Sequence, residues 1–472
     1  MKEANFLIMD SSENPSDISQ AKTLHQAGEF AEAENVYKKV LEQEPENAEA
    51  LALLGVLYCQ SSRLEDGVGY LRKAARYDPH SPETYYNLGK ALDGIGLLED
   101  AVAAYQAAIK IKDDYAAAWN NSGDCLSRLG RLADAVNAYE KALKLNPIAN
   151  IHFNLGNALL EKGDLDSASQ CYRQALDSDP GFAEAALNLA IVLKRQGDLT
   201  AAKSWCKQTL EMRPDYVKGL NEMGILCSQM GQTDEAIAKY KRVLELDSDN
   251  SVARHLLDSL LGADSEKASP AYVEELFDQY ASRFESHLAE SLQYKTPSTL
   301  HSLAKKILSD DFRISNILDL GCGTGLCGPL FRPHCGKLYG VDISSKMIKV
   351  AYGKKIYDEL KSQEIVDYLN QIENNFDLFL AADVFVYFGN LEPVFQAITE
   401  SAEEDASFIF STETTESGFA LKPSGRFGHS RDYVETVASK FNWKLEDVQS
   451  DTLRVENGLN VSGNLFFFRL KN

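Results

Sequence analysis

Two rhythms of apolar and polar positions divide this chain. Up to Gly262, apolar residues recur three and four positions apart, the spacing of amphipathic helices, and the pattern returns every 34 residues. Pro45, Pro79, Pro147, Pro180 and Pro214 mark one series, with Asp113 standing in its gap. Gly55, Gly89, Gly123, Gly156 and Gly224 form a second, with Ala190 in the remaining place. Ala33, Ala101, Ala135, Ala168, Ala202 and Ala236 form a third, and Tyr37, Tyr105, Tyr139, Tyr172 and Tyr240 follow one helical turn later. Several series on one period predict seven helix–turn–helix units, roughly 14–47, 48–81, 82–115, 116–148, 149–182, 183–216 and 217–250. In each, Gly or Ala lies where the two helices touch and proline ends the second. Val252–Leu261 then reads as a capping helix over the last unit.

After Gly262 the period stops. Residues 263–270 (ADSEKASP) are small and polar, the composition of a linker. Beyond them short apolar runs alternate with amphipathic stretches, which predicts an α/β domain over 271–472 with a largely parallel sheet. Strands are expected at Asn316–Leu320, Lys337–Val341, Phe376–Ala381, Ser407–Ser411, Lys444–Val448 and Asn464–Leu470. Helices are expected around Tyr272–Leu288, Thr296–Leu308, Lys346–Lys355, Glu392–Ala402 and Ser430–Lys440.

Composition narrows the function classes. The 472 residues carry a net charge of −22, and neither half has the basic excess of a nucleic-acid or anionic-membrane binder. A hydrophobic share of 44% is ordinary for globular protein and excludes disorder as the dominant state. Eight cysteines are too sparse for a disulfide scaffold and read as small core residues in a reducing compartment. Phe6–Met9 is too short an apolar run for a signal peptide, and no stretch approaches a membrane span, so a cytoplasmic location is expected. Cys322, Cys327, His334 and Cys335 lack the paired spacing of a structural zinc site, and no metal is expected.

The 34-residue units resemble the tetratricopeptide repeat, so the first half is expected to be an all-α superhelical solenoid that binds a protein or peptide in its groove. Asn87, Asn121, Asn154 and Asn188 recur at one position of the first helix, two residues before the Gly or Ala. A side-chain amide offers a donor and an acceptor together and so matches a peptide group. The ladder resembles that of repeat arrays which grip protein substrates through asparagines, as in the protein O-GlcNAc transferases.

The chemistry concentrates in Ile317-Leu-Asp-Leu-Gly-Cys-Gly-Thr-Gly325 and Gly340-Val-Asp-Ile-Ser344. An apolar strand runs into a glycine loop and then a helix, which lets a ligand approach backbone amides. Asp342, at the end of the next strand, is placed to accept hydrogen bonds from ribose hydroxyls. Gly323-Thr-Gly-Leu-Cys-Gly328 also spells a dinucleotide fingerprint. Asp319 weighs against that alternative: a carboxylate there repels a pyrophosphate and suits the ammonium of a methionyl group. The two elements together favour S-adenosylmethionine and resemble the Rossmann-like class I methyltransferase fold. The resemblance implies cofactor contacts at Asp319, Gly321, Cys322, Gly323, Gly325, Asp342 and Ile343, and at Asp383 and Val384, where the fourth strand opens towards methyl group and substrate. Glu364 resembles the acidic position that meets the adenine, and Phe277–Tyr280 with Phe284 lie where similar enzymes carry a lid.

The whole chain resembles bacterial predicted methyltransferases with N-terminal tetratricopeptide repeats, down to Gly425–Ser430 and Arg454–Glu456. The expected function is methyl transfer from S-adenosylmethionine with the array recruiting a protein partner or substrate. The alternative is a scaffold whose methyltransferase-like domain senses the cofactor or is inactive. For catalysis, His429 is the leading base, Arg426 and Arg454 are candidates to hold a substrate carboxylate, and Glu413 to orient an amine or hydroxyl. The methyl acceptor itself is not identified by any motif.

Overall fold

A computed structural model describes residues 17–263, 265–281, 284, 294–373, 375–456 and 459–471. The chain divides into two compact units, with the boundary in sequence between Met212 and Arg213. The expected start of the first repeat at residue 14 and the end of the helix drawn to Leu288 lie outside the described residues.

The first unit is a run of antiparallel helix pairs, from α1 (Asp17–Gln26) and α2 (Phe30–Gln43) to α11 (Ala183–Arg195) and α12 (Leu199–Met212). Their pairing has a steric cause. A Cβ on Gly89, Gly123 or Gly156 would lie 2.6, 2.7 and 2.7 Å from the rings of Tyr105, Tyr139 and Tyr172, so each tyrosine of a second helix lies on the bare backbone of the first. All three rings are buried, and burial pushes their phenols far above the usual range. In the sixth repeat Ala190 replaces the glycine and Cys206 the tyrosine, both fully buried: a larger first-helix residue meets a smaller partner.

The second unit opens with α13 (Val217–Gln229), α14 (Thr233–Leu246) and α15 (Ser251–Leu261) and continues through α16 (Pro270–Tyr280) and α17 (Thr296–Leu308). Its sheet comprises β1 (Ile314–Leu320), β2 (Cys335–Asp342), β3 (Glu359–Ser362), β4 (Phe376–Ala381), β5 (Ala402–Thr414), β6 (Phe419–Leu421), β7 (Phe427–His429), β8 (Trp443–Glu456) and β9 (Leu459–Leu470). The order β3-β2-β1-β4-β5 is parallel throughout, and β9 pairs antiparallel with β5 and β8. Beyond the end of β4, β5 pairs in parallel with β7 at Glu413 and Thr414. Side chains of β4 alternate between the two cores, Phe379 and Ala381 on one face and Leu378 and Leu380 on the other. The expected strands are all present, Phe376–Ala381 with the same bounds and the other five within longer strands. β3, β6 and β7 were not anticipated: ELKS is a polar edge strand with no buried residue, and the other two are three residues each.

Residues 263–270, read as a linker, are tied down, Asp264 lying outside the described residues. The Ala268 N–H donates to the Tyr387 carbonyl at 2.9 Å, and Gly389 and Asn390 N–H both donate to the Glu266 carbonyl at 2.7 Å. The helix before them docks as well. His255 of α15 stacks on Tyr272 of α16 at 4.1 Å, and its Nε2 bonds the Gly425 carbonyl at 2.7 Å. Among the described residues no helix is long and apolar enough to cross a membrane.

Candidate active site

The carboxyl ends of β1, β2 and β4 converge, as parallel topology dictates, and the glycine loop leaves β1 at that point. Gly321, Gly323 and Gly325 have φ of +62°, +55° and +84°. A Cβ on Gly321 would lie 2.6 Å from Val384, and one on Gly325 2.8 Å from the Tyr357 ring, so both are demanded by packing as well as by conformation. A Cβ on Gly323 would meet only Phe284, at 3.7 Å, leaving that turn of backbone approachable.

Two buried carboxylates flank the loop. Asp342 accepts the Gly323 N–H at 2.9 Å and the Ser344 N–H at 2.8 Å, and burial pushes its pKa up to about 6 against those two bonds. Asp319, 1% exposed, accepts the Tyr357 hydroxyl at 2.7 Å on Oδ2, while Oδ1 has no hydrogen-bond partner among the described residues. Burial pushes it to about 7, opposed by the Tyr357 bond and reinforced by the Asp342 charge. Ile343 is half-buried between Asp342 and the helix Ser345–Gly353. Cys322 is buried in the loop, its thiol pushed far up by burial. Glu364 lies past β3 as the cap of a short helix, accepting Val366 and Asp367 N–H at 2.9 and 3.0 Å on Oε2. Its Oε1 is buried without a partner among the described residues.

The lid segment reaches this group. Asp278 accepts the Ser344 hydroxyl at 2.6 Å, and Phe277 meets the Tyr387 ring edge-on at 5.5 Å. α16 thus spans from the end of β2 to the turn after β4.

On the other side lies an ionic cluster. Asp383, two residues past the end of β4, has φ +57°, held by Ser411, whose Oγ accepts its N–H and donates to its Oδ1, both at 2.8 Å. Arg454 bonds Glu413 and lies 3.8 Å from Asp383. Lys422 bonds Glu413 at 2.9 Å, and Arg426 lies 3.9 Å from it. Burial raises the Asp383 carboxyl against the pull of Arg454, whereas Arg454 and Lys422 overcome burial at Glu413 and hold it below the usual range. Sequence reasoning named Asp383, Glu413, Arg426 and Arg454. It missed Lys422, Ser411 and Tyr357, ordinary residues whose roles depend on contacts across 9, 28 and 38 positions.

His429 is corrected. It is 0% exposed, its Nε2 bonds the Gly389 carbonyl at 3.1 Å, and burial lowers its pKa to about 4. With Nε2 donating to a carbonyl and the ring closed off from solvent, it holds β7 against the turn after β4 instead of serving as a base.

In the repeats the asparagines bond to one another's units. Asn121 donates to the Tyr86 hydroxyl at 3.2 Å, Asn154 to Asn120 at 3.2 Å and Asn188 to Asn157 at 2.8 Å. These three are half-buried. Asn87 is corrected as a groove residue: at 1% exposure it has no open face for an occupant.

Comparison with known proteins agrees with both architectures. Family models described as "Tetratricopeptide repeat" match residues 18–82, 57–117, 114–180, 153–217 and 220–253, and one described as "Methyltransferase domain" matches 313–451. A Saccharomyces cerevisiae protein described as "Probable S-adenosylmethionine-dependent methyltransferase CRG1" is 25% identical over 131 residues, covering 25% of this chain and 44% of that protein. The chain therefore spans less than half the length of that curated relative. Among solved structures, MamA is 32% identical, covering 35% of this chain and 96% of its own with a TM-score of 0.34. The C-terminal part of a repeat-containing protein from Cytophaga hutchinsonii is 18% identical, covering 50% and 98% with a TM-score of 0.44. The chain carries tetratricopeptide repeats and a methyltransferase domain.

Proposed function

We propose that this chain is an S-adenosylmethionine-dependent methyltransferase whose repeats recruit a protein or peptide. The observation that carries the reading is the buried Asp319–Asp342 pair around an open glycine turn, with Asp319 Oδ1 unpartnered among the described residues. An unpaired buried carboxylate oxygen is costly and is relieved by a cationic or hydrogen-donating ligand. The S-adenosylmethionine donor set fits: an ammonium for Asp319, ribose hydroxyls for Asp342 and an adenine amino group for the spare oxygen of Glu364. The same cofactor stands in the name of the yeast relative.

When bound, the cofactor supplies a methyl group on a positively charged sulfur. The residues around it bind, orient and exclude water. Asp319 would hold the methionyl end of the ligand, Asp342 its ribose and Glu364 its adenine, Gly323 admits it to the backbone, and α16 with Phe284 lies over the loop. Asp383 and Val384, at the turn after β4, face the reacting end, which leaves the ionic cluster to meet the acceptor. Tritiated methyl from S-adenosylmethionine is expected to pass to an acceptor in cell extract and to stop doing so in Asp342→Ala. Transfer unaffected by that substitution would remove Asp342 from the site.

The half-buried asparagines supply the reason for a peptide groove. Asn121, Asn154 and Asn188 recur at one position of successive units, each bonded to a neighbouring unit, and would offer an extended chain a row of amides. Alanine at all three is expected to weaken capture of a random peptide array several-fold without lowering the melting temperature of the repeats by more than a few degrees. Unchanged capture would count against the groove.

A further inference from the structure

The boundary between the two compact units falls inside the repeat array. The seventh repeat, α13 and α14, and its cap α15 belong to the same unit as the methyltransferase domain, and the six repeats before them to the other. A cap that only shields a last repeat presents a polar outer face to solvent. α15 does more than that. Its Val252 packs on an apolar cluster of Ala268, Tyr272, Val386 and Tyr387, and its His255, 5% exposed, sends the imidazole to Gly425.

These contacts reach the two turns that border the proposed methyl site. Val386 and Tyr387 follow Val384, which packs on Gly321 of the glycine loop. Gly425 lies in the turn between β6 and β7, where the Lys422 N–H donates to the Arg426 carbonyl at 2.8 Å and the Gly425 N–H to the Lys422 carbonyl at 2.9 Å. That turn carries both Lys422, which bonds Glu413, and Arg426, which bonds the Tyr387 hydroxyl. Only glycine suits position 425, where φ is +76° and a Cβ would lie 3.3 Å from Leu256 and 3.5 Å from Tyr272. The Gly425 carbonyl accepts the His255 Nε2–H at 2.7 Å across 170 positions, and the same imidazole stacks on Tyr272 at 4.1 Å. That carbonyl is part of the rigid peptide group joining Gly425 to Arg426. Fixing it fixes the direction in which Arg426 leaves the backbone.

Resting on the methyltransferase reading above, we propose that His255 is a positioning residue, which holds the 422–426 turn, and with it Arg426 and Lys422, in place beside the methyl acceptor. The last repeat is then part of the machinery of methyl transfer as well as the end of the recruiting array. The imidazole acts through one donated hydrogen bond and one ring contact, and exchanges no proton. Two substitutions separate these contributions. Glutamine keeps an N–H donor near the place of Nε2 and loses the ring, whereas phenylalanine keeps a ring on Tyr272 and loses the donor.

The test uses the full chain, methyl-tritiated S-adenosylmethionine and extract from cells lacking the gene, with S-adenosylhomocysteine titration and amide hydrogen exchange alongside. In His255→Phe, transfer is expected to fall at least about ten-fold and exchange across 419–429 to quicken several-fold, with S-adenosylhomocysteine affinity within about two-fold of the parent. His255→Gln is expected to restore most of the transfer and the slow exchange, although it lacks the stack. Retained affinity shows that both variants are folded. His255→Phe that transfers as fast as the parent, or His255→Gln no faster than His255→Phe, overturns the positioning role and leaves the methyltransferase reading standing. Transfer lost in step with S-adenosylhomocysteine affinity assigns the effect to a loosened fold and overturns the role as well. No chain-dependent label, in parent protein that binds S-adenosylhomocysteine, overturns methyl transfer and the positioning role with it.

Discussion

The most quantitative consequence of the site concerns pH. Burial raises Asp319 to about 7, so near neutrality its carboxyl is only partly ionised before a ligand arrives. An ammonium requires the ionised form, and affinity therefore follows the ionised fraction. A carboxyl with a pKa of about 7 is roughly nine-tenths ionised at pH 8 and one-tenth at pH 6, so the dissociation constant for S-adenosylhomocysteine should rise about ten-fold between them. Asp342, raised to about 6, adds about another two-fold at the acid end. The sign follows from the direction of the shift: an acid raised by burial is neutral below its pKa, so binding is full above about pH 8 and is lost on acidification. Calorimetric titration at several pH values, in buffers of different ionisation enthalpy, reads both the affinity and the proton released on binding near neutrality. Asp319→Asn should bind more weakly at pH 8 by an order of magnitude or more, with its pH dependence cut to the two-fold of Asp342. A flat profile in the parent, or the same slope in Asp319→Asn, would refute the assignment of Asp319 as the partner of the ammonium.

Two further predictions concern stability. Gly156→Ala places a methyl 2.7 Å from the buried Tyr172 ring and should destabilise the repeats by about 1–3 kcal/mol, visible as a lower melting temperature by circular dichroism. A neutral effect would mean that the helix pair is looser than its spacing. His255→Ala removes the stack on Tyr272 and leaves the Gly425 carbonyl without its imidazole donor, a cost of about 1–3 kcal/mol in the unit that contains both. Because Gly425 precedes Arg426, His255→Ala should also slow methyl transfer more than it weakens S-adenosylhomocysteine binding. Equal losses would place its effect on the whole fold.

The repeats were legible because their packing rule is local: a glycine and a tyrosine sixteen residues apart meet in one helix pair, so the contact leaves a period in the sequence. β1, β2, β4 and the glycine loop were legible because buried parallel strands read as apolar runs ending in functional residues. β3 left no such trace, since an edge strand with exposed side chains needs no apolar pattern. The long hairpin of β8 and β9 was seen only at its apolar end, because Gln449–Glu456 is mostly polar. Side-chain partners were the least legible. His429 looked like a base by residue type, and only its burial and the Gly389 carbonyl show why it is not. Glu364 was read only by its resemblance to an adenine-meeting acid, and its place as a helix cap follows from a turn the polar sequence left undefined.

The central claim, that the loop between Asp319 and Asp342 holds S-adenosylmethionine, is tested most directly by isothermal titration of the full chain with S-adenosylhomocysteine at pH 8. The account predicts binding at one site per chain, weakened at least about ten-fold by Asp342→Ala, which removes the carboxylate proposed to accept the ribose hydroxyls. Well-folded parent protein that gives no binding, or a variant that binds as tightly as the parent, would contradict it.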